Sequence, residues 1–415
     1  MRRVRGRAPK SQPATQVPLA IDDGTVTLAM IQELIPLGLR AVGEALQQEV
    51  RALAGPRYAH GDRAPALVRW GQQRGSIYLA DQKVPVAVPR VRDRQAGREV
   101  RLPTYAALQV PRAQDLGLFR RVLSGISCRD YAAAAEAVPL AFGLAKTSVS
   151  RRFIRASARD LAHLQERPLG DRRWLALVLD GKTFAEDTLL VALGVTTAGE
   201  KRLLGVVQTA TENKGVCARF LRELVARGIP ADQPLLVILD GAKGLRAAVA
   251  EVFGERVQVQ RCQWHKRENV VRYLPKEEQP RWRRRLQDAY GQATYRDAKD
   301  ALLRVHRELR LRNASAAASL QEGLEETLTL HRLGVFPEVG TSFKTTNLLE
   351  SVMAQVEAKT ARVDRWRTSD QKLRWCASAL LAIESRFRRI KGWRHLGVLI
   401  RALGRSGNEA QRDAA

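Results

Sequence analysis

Trp174-Leu175-Ala176-Leu177-Val178-Leu179-Asp180-Gly181 and, sixty residues on, Leu235-Leu236-Val237-Ile238-Leu239-Asp240-Gly241 are the two stretches whose reading decides the fold. Each is an apolar run of strand length that ends in Asp-Gly, the pattern of a buried strand. Between them, Leu189 to Val195 and Leu203 to Thr209 read as a hairpin around Ala198-Gly199, and Val216 to Ala226, closed by Gly228, reads as an amphipathic helix. After the second run a helix extends to about Phe253 and a short strand covers Val257 to Gln260. Three strands, helix, strand, helix, strand predicts an α/β core with a mixed sheet. Ligands of open α/β sheets bind at the carboxyl edge of the strands, and both buried strands deliver an Asp there.

Outward from this core, Lys276 to about Leu333 is helical and charged, without β-branched runs, and looks like an insertion. Thr345-Thr346-Asn347-Leu348-Leu349-Glu350-Ser351 then opens another helix, and the chain stays helical and basic to Ile400. Upstream, Arg112 to Leu161 is helical. Within it Gly125-Ile126-Ser127, a helix over Arg129 to Val138, a break near Pro139 to Gly143 and a second helix opening at Lys146-Thr147-Ser148-Val149-Ser150-Arg151-Arg152-Phe153 suggest a helix-turn-helix. An ordinary helical hairpin with a polar face has the same pattern. Ser76 to Leu79 and Val84 to Val88, punctuated by Pro85 and Pro89, predict a small β element, and Val26 to about Ala54 an amphipathic helix. The organisation expected is a flexible basic arm over 1–25, an N-terminal helix with the β element over 26–110 and a helical DNA-binding region over 111–168. A catalytic core over 169–275, an all-helical insertion over 276–340, a final core helix with basic helices over 341–402 and a tail over 403–415 complete it.

The 415 residues carry 70 Lys and Arg against 43 Asp and Glu, a net charge of +27, with 45% hydrophobic residues. That apolar share excludes wholesale disorder, and the charge points to a polyanionic partner. Basic residues cluster at Arg2 to Lys10, Arg90 to Arg94, Arg281 to Arg285 and Arg386 to Arg394, with Trp264, Trp282, Trp366 and Trp393 near such clusters. Such clusters suit phosphate contacts, and aromatics beside them can stack on unpaired bases. No apolar run reaches the ~18 residues of a membrane span, and no apolar segment of a signal peptide follows the basic start. Cys128, Cys217, Cys262 and Cys376 are too few and too dispersed for a disulfide framework, so a soluble cytoplasmic protein is expected.

An acidic side chain at the end of an apolar strand costs desolvation energy unless a cation or donor meets it. Two in one sheet suggest a shared cation, and Mg²⁺ suits them because it takes carboxylate oxygens while keeping waters and phosphate oxygens. Glu350 is the candidate third carboxylate of a two-metal site. The spacing Asn347-x-x-Glu350 equally fits a capping box, and one carboxylate does only one of these jobs well. For Asp180 and Asp240 the alternative is an Asp-Gly turn after a strand, which two matched copies disfavour.

The ordered set of Leu-Asp180-Gly-Lys, Thr-Glu212-Asn, Leu-Asp240-Gly-Ala-Lys-Gly-Leu, Gln260-Arg-Cys262-Gln-Trp-His265-Lys and Thr346-Asn-Leu-Leu-Glu350-Ser resembles the bacterial Mutator-type insertion-sequence transposases. The resemblance implies an RNase H-like core with a D-D-E triad, interrupted by an all-helical insertion and preceded by a mainly helical DNA-binding region. It implies that Asp180, Asp240 and Glu350 hold two Mg²⁺, with Mn²⁺ substituting, for cleavage at the element's ends and attack of the freed 3′-hydroxyl on target DNA. It also implies double-stranded DNA partners, the terminal inverted repeats and the target, a homodimer on DNA, and nucleoid association. Lys146, Thr147, Ser148, Ser150, Arg151 and Arg152 are the expected contacts to the repeats. Cys262 and His265 match the family's Cys-x-x-His signature near the active edge. A lone pair of this kind lacks the four ligands of a structural zinc site, so a buried Cys with a hydrogen-bonded His is preferred. Glu212 is a further acidic group near the pocket, or a surface residue at a helix start. The rivals are an RNase H-like nuclease that cuts without joining and a non-catalytic, domesticated DNA-binding protein.

Overall fold

The computed structural model describes residues 23–58, 66–79, 82–110, 113–135, 140–184, 187–209, 213–363 and 365–413. The expected basic arm thus lies outside the described residues up to residue 22, and so does Glu212. Contacts divide the chain into two units, residues 1–117 with 135–145, and residues 118–134 with 146–415.

In the first unit the apolar periodicity after Val26 becomes α1 (Asp23–Ala54), and the β-branched runs become the hairpin of β1 (Leu67–Leu79) and β2 (Gln82–Asp93), with β3 (Arg98–Val100) beside β2. Pro85 and Pro89 are tolerated because β3 pairs only with Val91 to Asp93, which leaves β2 an open edge at both prolines. Leu46 and Val50 of α1 pack on Val88, Val91 and Leu102, just ahead of α2 (Pro103–Leu108). Residues 135–145 join this unit through a two-way backbone pair, Lys83 with Phe142 at 2.8 Å each way.

The chain continues through α3 (Ala113–Leu123), α4 (Tyr131–Ala134) and α5 (Lys146–Glu166). Where a helix is expected over Arg129 to Val138, the described residues hold only the single turn of α4, and 136–139 lie outside them. The second expected helix starts at Lys146 as anticipated but runs to Glu166. It does so because Val149, Phe153, Ser157 and Leu164 keep one face buried along its length.

The sheet of the second unit comprises β4 (Trp174–Phe184), β5 (Asp187–Thr196), β6 (Lys201–Thr209), β7 (Leu235–Leu239) and β8 (Val257–Arg261), in the order β6-β5-β4-β7-β8. The first three pair antiparallel, and β4, β7 and β8 pair parallel. The crossovers are α6 (Lys214–Ala226) and α7 (Lys243–Phe253). Side chains alternate across a strand. Leu177 and Leu179 of β4 and Leu235, Val237 and Leu239 of β7 share one core with Phe220, Leu221, Leu224, Leu245 and Val249 of the two crossover helices. The even-numbered positions of both strands therefore face the opposite side.

The long helical stretch is α8 (Gln263–Val271), α9 (Gln279–Tyr290), α10 (Tyr295–Arg312), α11 (Ala314–Gln321), α12 (Leu324–Thr327) and α13 (Thr329–Arg332). It has its own core, from Val270 through Trp282, Leu286, Leu302 and Leu309 to Leu328. Buried side chains fasten its return to β8. The Gln260 and Gln263 amides donate to the Thr327 carbonyl at 2.9 Å each, and Thr329 Oγ1 donates to the Val259 carbonyl at 2.6 Å. Then follow α14 (Phe336–Phe343), α15 (Asn347–Thr360), α16 (Ser369–Glu384) and α17 (Leu396–Asp413). The last helix extends into the expected tail, where Glu409-Ala-Gln-Arg412 are strong helix formers. Helix α15 packs against β4 and β5, and α16 against β6 and α5.

An ion pair fastens the end of α16 to β6. Arg167 meets both oxygens of Glu384 at 2.7 and 2.8 Å, and Leu203 N donates to the same carboxylate at 2.6 Å. Removing the carboxylate strands a buried guanidinium and an edge amide. Glu384→Ala is expected to cost about 3 kcal/mol, the lower end for a broken buried pair, read as a fall in the urea midpoint of the full chain.

Candidate active site

The β4–β7 register places the first two carboxylates. Ala176 pairs with Leu236, Leu177 with Val237 and Val178 with Ile238, so Asp180 lies two residues past the last pair on β4 and Asp240 follows the end of β7. Within β4, Asp180 holds an even position, on the face away from α6 and α7. Asp180 is 6% exposed. It is not a turn residue, because β4 runs on past β7 to Phe184 and pairs Asp180 with Val191 and Gly181 with Leu190 of β5. Asp240 does sit in a turn. Its Oδ1 accepts from Ala242 N at 2.9 Å, and Gly241 supplies φ +100.

Two backbone bonds draw the remaining groups to this edge. Cys262 N donates to the Leu239 carbonyl at 2.8 Å, so α8 starts beside the end of β7. Gln263 N donates to the Lys344 carbonyl at 3.0 Å, bringing the segment before α15 to the same place. The N-cap of α15 is Thr346, fully buried, and Asn347 is already the first helical residue. The capping box therefore does not form. Instead Thr346 Oγ1 donates to Glu350 Oε1 at 3.0 Å, one turn along the helix. The same hydroxyl lies 3.4 Å from His265 Nδ1 and 3.6 Å from Cys262 Sγ. A hydroxyl has one proton, and the carboxylate at the shortest distance takes it, so its oxygen is left to accept from the imidazole or thiol.

His265 Nε2 lies 3.5 Å from Glu350 Oε1, and ligand atoms of Cys262, His265 and Glu350 all fall within 4.8 Å of one another. Burial opposes a charge on His265. The hydrogen bond and charge of Cys262, joined by the charges of Asp180 and Glu350, outweigh it and raise the imidazole to about 9. Both Asp180 and Glu350 are thus within electrostatic reach of one ring. Lys182, on the extension of β4, pairs with Glu357 of α15 at 3.6 Å and ties the third carboxylate's helix to the first carboxylate's strand.

Behind the edge, the Arg261 guanidinium passes between Gly241 and Gly323, and a Cβ on either glycine would collide with it. It reaches Glu322 Oε2 at 3.1 Å, as does Lys266 Nζ, which is 1% exposed and also donates to the Ser319 carbonyl at 2.7 Å. These groups and Thr346 were not singled out in the sequence. Thr346 carried a usable signal, as a hydroxyl four residues ahead of the proposed ligand on a helix. The cation pair carried none, because its carboxylate comes from the far end of the insertion.

The expected DNA-contact residues lie at the start of α5. Lys146, Thr147 and Arg151 are exposed and Ser148 and Ser150 are partly so, but Arg152 is turned inward at 5% exposure. Helical spacing puts Arg152 on the face of Val149 and Phe153, so it leaves the outward-facing set. Of the tryptophans, Trp282 is buried, Trp366 packs on Phe184 and Trp375, Trp393 lies between Arg389 and Arg394, and Trp264 stands 44% exposed beside His265.

Curated proteins similar to this chain are transposases of insertion sequences. That for IST2 of Acidithiobacillus ferrooxidans is 35% identical over 214 residues, 49% of this chain and 70% of that protein. That for ISRM5 of Rhizobium meliloti is 25% identical over 383 residues, 88% and 92% of the two chains. That for IS6120 of Mycolicibacterium smegmatis is 32% identical over 172 residues, 41% of this chain and 52% of its own length. Residues 22–378 match the family model described as Transposase, Mutator family, and the chain belongs to that family. Among the described residues no helix is long and apolar enough to cross a membrane.

The Gly241 turn gives a direct check on the packing behind Asp240. Gly241→Ala puts a Cβ at φ +100 against the Arg261 guanidinium, and is expected to destabilise by more than about 1 kcal/mol, read as a lower Tm. An unchanged Tm would mean that Arg261 does not hold the turn.

Proposed function

We propose that this chain is a D-D-E DNA transposase with an RNase H-like core, in which Asp180, Asp240 and Glu350 hold two Mg²⁺. The observation that supports this reading is the parallel pairing of β4 with β7, which carry Asp180 and lead into Asp240, with the helix bearing Glu350 packed against that sheet. The strand order, three antiparallel strands followed by two parallel ones with helical crossovers, supports the same fold assignment. Three carboxylates are a donor set suited to Mg²⁺ or Mn²⁺, although the ligand atoms that this structure brings within 4.8 Å of one another are those of Cys262, His265 and Glu350. Two such ions supply activation of the attacking water or 3′-hydroxyl and stabilisation of the leaving oxygen.

The chain's own residues do the positioning. The β4–β7 register fixes the separation of Asp180 and Asp240, and the Gly241 turn with its Ala242 N–H orients the second. The Thr346 hydroxyl holds Glu350 in one rotamer, and Lys182 with Glu357 keeps α15 on the strand. With no ion bound, His265, its pKa raised to about 9, offsets part of the carboxylate charge. The exposed start of α5, with Lys146, Thr147 and Arg151, supports contact with the terminal inverted repeats. Two element ends handled together call for a dimer on DNA.

The test is cutting and joining of labelled duplex carrying the element's terminal repeats, in Mg²⁺ or Mn²⁺. Asp180→Asn, Asp240→Asn and Glu350→Gln should each lose joined product by at least about a hundredfold while binding persists. Pre-cut ends separate a transposase, which joins them, from a nuclease, which does not. Activity that survives Glu350→Gln would remove that residue from the triad, and a wild type inert in both metals would favour a DNA-binding protein without catalysis.

The Cys262, His265 and Glu350 cluster also has the donors of a zinc site, and a second measurement separates the two readings. On the magnesium reading Cys262→Ser keeps cutting within about threefold, since the buried sulfur only packs and accepts. Stoichiometric zinc in the purified protein, lost in Cys262→Ser, would overturn that.

A further inference from the structure

Beside the carboxylate edge lies a cleft of about 220 Å³, walled by Trp264, Arg267, Gln287, Tyr290, Lys344 and Thr345, which the chemistry above leaves unused. Its walls belong to the same two segments that build the site. Trp264 precedes His265, with the rings edge to face at 4.9 Å, and Thr345 precedes Thr346. The cleft thus opens one residue away, along both segments, from the groups around Glu350.

Trp264 is 44% exposed, although it stands on one of the most firmly held parts of the chain. Gln263, just before it, is buried, with its amide on the Thr327 carbonyl and its N–H on the Lys344 carbonyl. A rigidly mounted indole left open to solvent is a stacking platform rather than a loose surface residue. Two basic side chains line the cleft, Lys344 and an Arg267 that is paired with Glu268. Arg267 lies one turn along α8, steadied by Gln287 at 3.2 Å and Glu268 at 3.1 Å. The volume is below the roughly 300–1,000 Å³ of sites for drug-sized molecules and suits a single flat ring system.

We infer that this cleft receives one nucleobase, turned out of the DNA stack next to the phosphate that is cut, and stacks it on Trp264 while Arg267 and Lys344 meet its flanking phosphates. The inference rests on the transposase reading for the position of that phosphate. Turning a base out of the stack bends the backbone beside it toward a recessed site, and a platform that accepts any base face would stabilise the opened form without reading sequence.

The experiment uses the full chain and a terminal-repeat duplex bearing 2-aminopurine, placed in turn at each position flanking the cut. In an Asp240→Asn background, which needs only to bind, one position should change its fluorescence on binding. Adding Trp264→Ala should abolish that change, and Trp264→Phe should retain it. In the otherwise wild-type chain, Trp264→Ala should slow cutting by roughly tenfold, as expected for loss of one stacked base, with Trp264→Phe recovering most of the rate. An abasic nucleotide at the responsive position should relieve the Trp264→Ala defect. The inference is overturned if no position responds, if Trp264→Ala responds like the parent, or if an abasic site gives no relief, which would assign Trp264 to packing or to a protein partner. A wild type that binds but does not cut would sink the transposase reading alone, since the fluorescence comparison needs no cutting.

Discussion

The parallel pairing of β4 with β7 is the constraint on which the site depends. Its sixty-residue offset is the offset between Asp180 and Asp240, so a slip of one residue would carry one carboxylate to the opposite face, among the leucines that cover α6 and α7. What prevents the slip is the burial of both faces. Leu177, Leu179, Val237 and Leu239 are fully enclosed on one side, and Ala176, Val178, Leu236 and Ile238 on the other. Each buried side chain of this size contributes about 1.5–3 kcal/mol, so a shifted register would forfeit many times the energy that two isolated carboxylates could recover. Hydrophobic burial thereby specifies a polar arrangement that is costly to form by itself.

The third carboxylate reaches the edge by a different route. It arrives after the whole helical insertion, and its position depends on where that insertion returns. The return is fixed by hydrogen bonds and ion pairs of largely buried side chains with the insertion's end. Gln260 and Gln263 share the Thr327 carbonyl, and Arg261 and Lys266 share Glu322. Burial alone lowers the Lys266 pKa, with Arg261 adding to it, while hydrogen bonds to Arg261 and Lys266 outweigh desolvation and hold Glu322 below its usual value. Charges so enclosed are costly unless each finds its partners, so this cluster favours one seating of the insertion over near alternatives. Because Arg261 also lies against Gly241, the seating of the insertion and the turn that orients Asp240 share a side chain.

Much of this was legible in the chain. The strand runs, both crossover helices and the insertion follow from periodicity. Local pattern misled where tertiary contacts decide. Asp180 ends an apolar run, yet its strand continues through Gly181 to Phe184 because β5 offers a partner that the sequence does not announce. Asn347-x-x-Glu350 has the spacing of a capping box, but Thr346 takes the cap position and its hydroxyl turns to Glu350. The helix over Arg129 to Val138 shrinks to one turn in the described residues, and Phe142, a few residues on, pairs instead with Lys83 of the hairpin. Arg152 reads as a basic contact residue by type and as a core residue by phase, and phase prevailed.

The charge distribution completes the argument. A chain of net charge +27 attracts a polyanion, but the edge that the proposed reading makes catalytic would bring Asp180, Asp240 and Glu350 to it. A phosphate brought within about 4 Å of one carboxylate meets a repulsion of about 4 kcal/mol at an effective dielectric of 20, and three carboxylates multiply it. His265, held protonated by the very groups it neighbours, offsets only part of that. On the proposed reading divalent cations complete the balance, so that the same carboxylates which repel DNA from the bare edge become its anchor once the cations bind. Affinity for DNA in general and commitment of one phosphate to the edge are then separate properties, the first carried by the basic surface and the second by the ions the carboxylates hold.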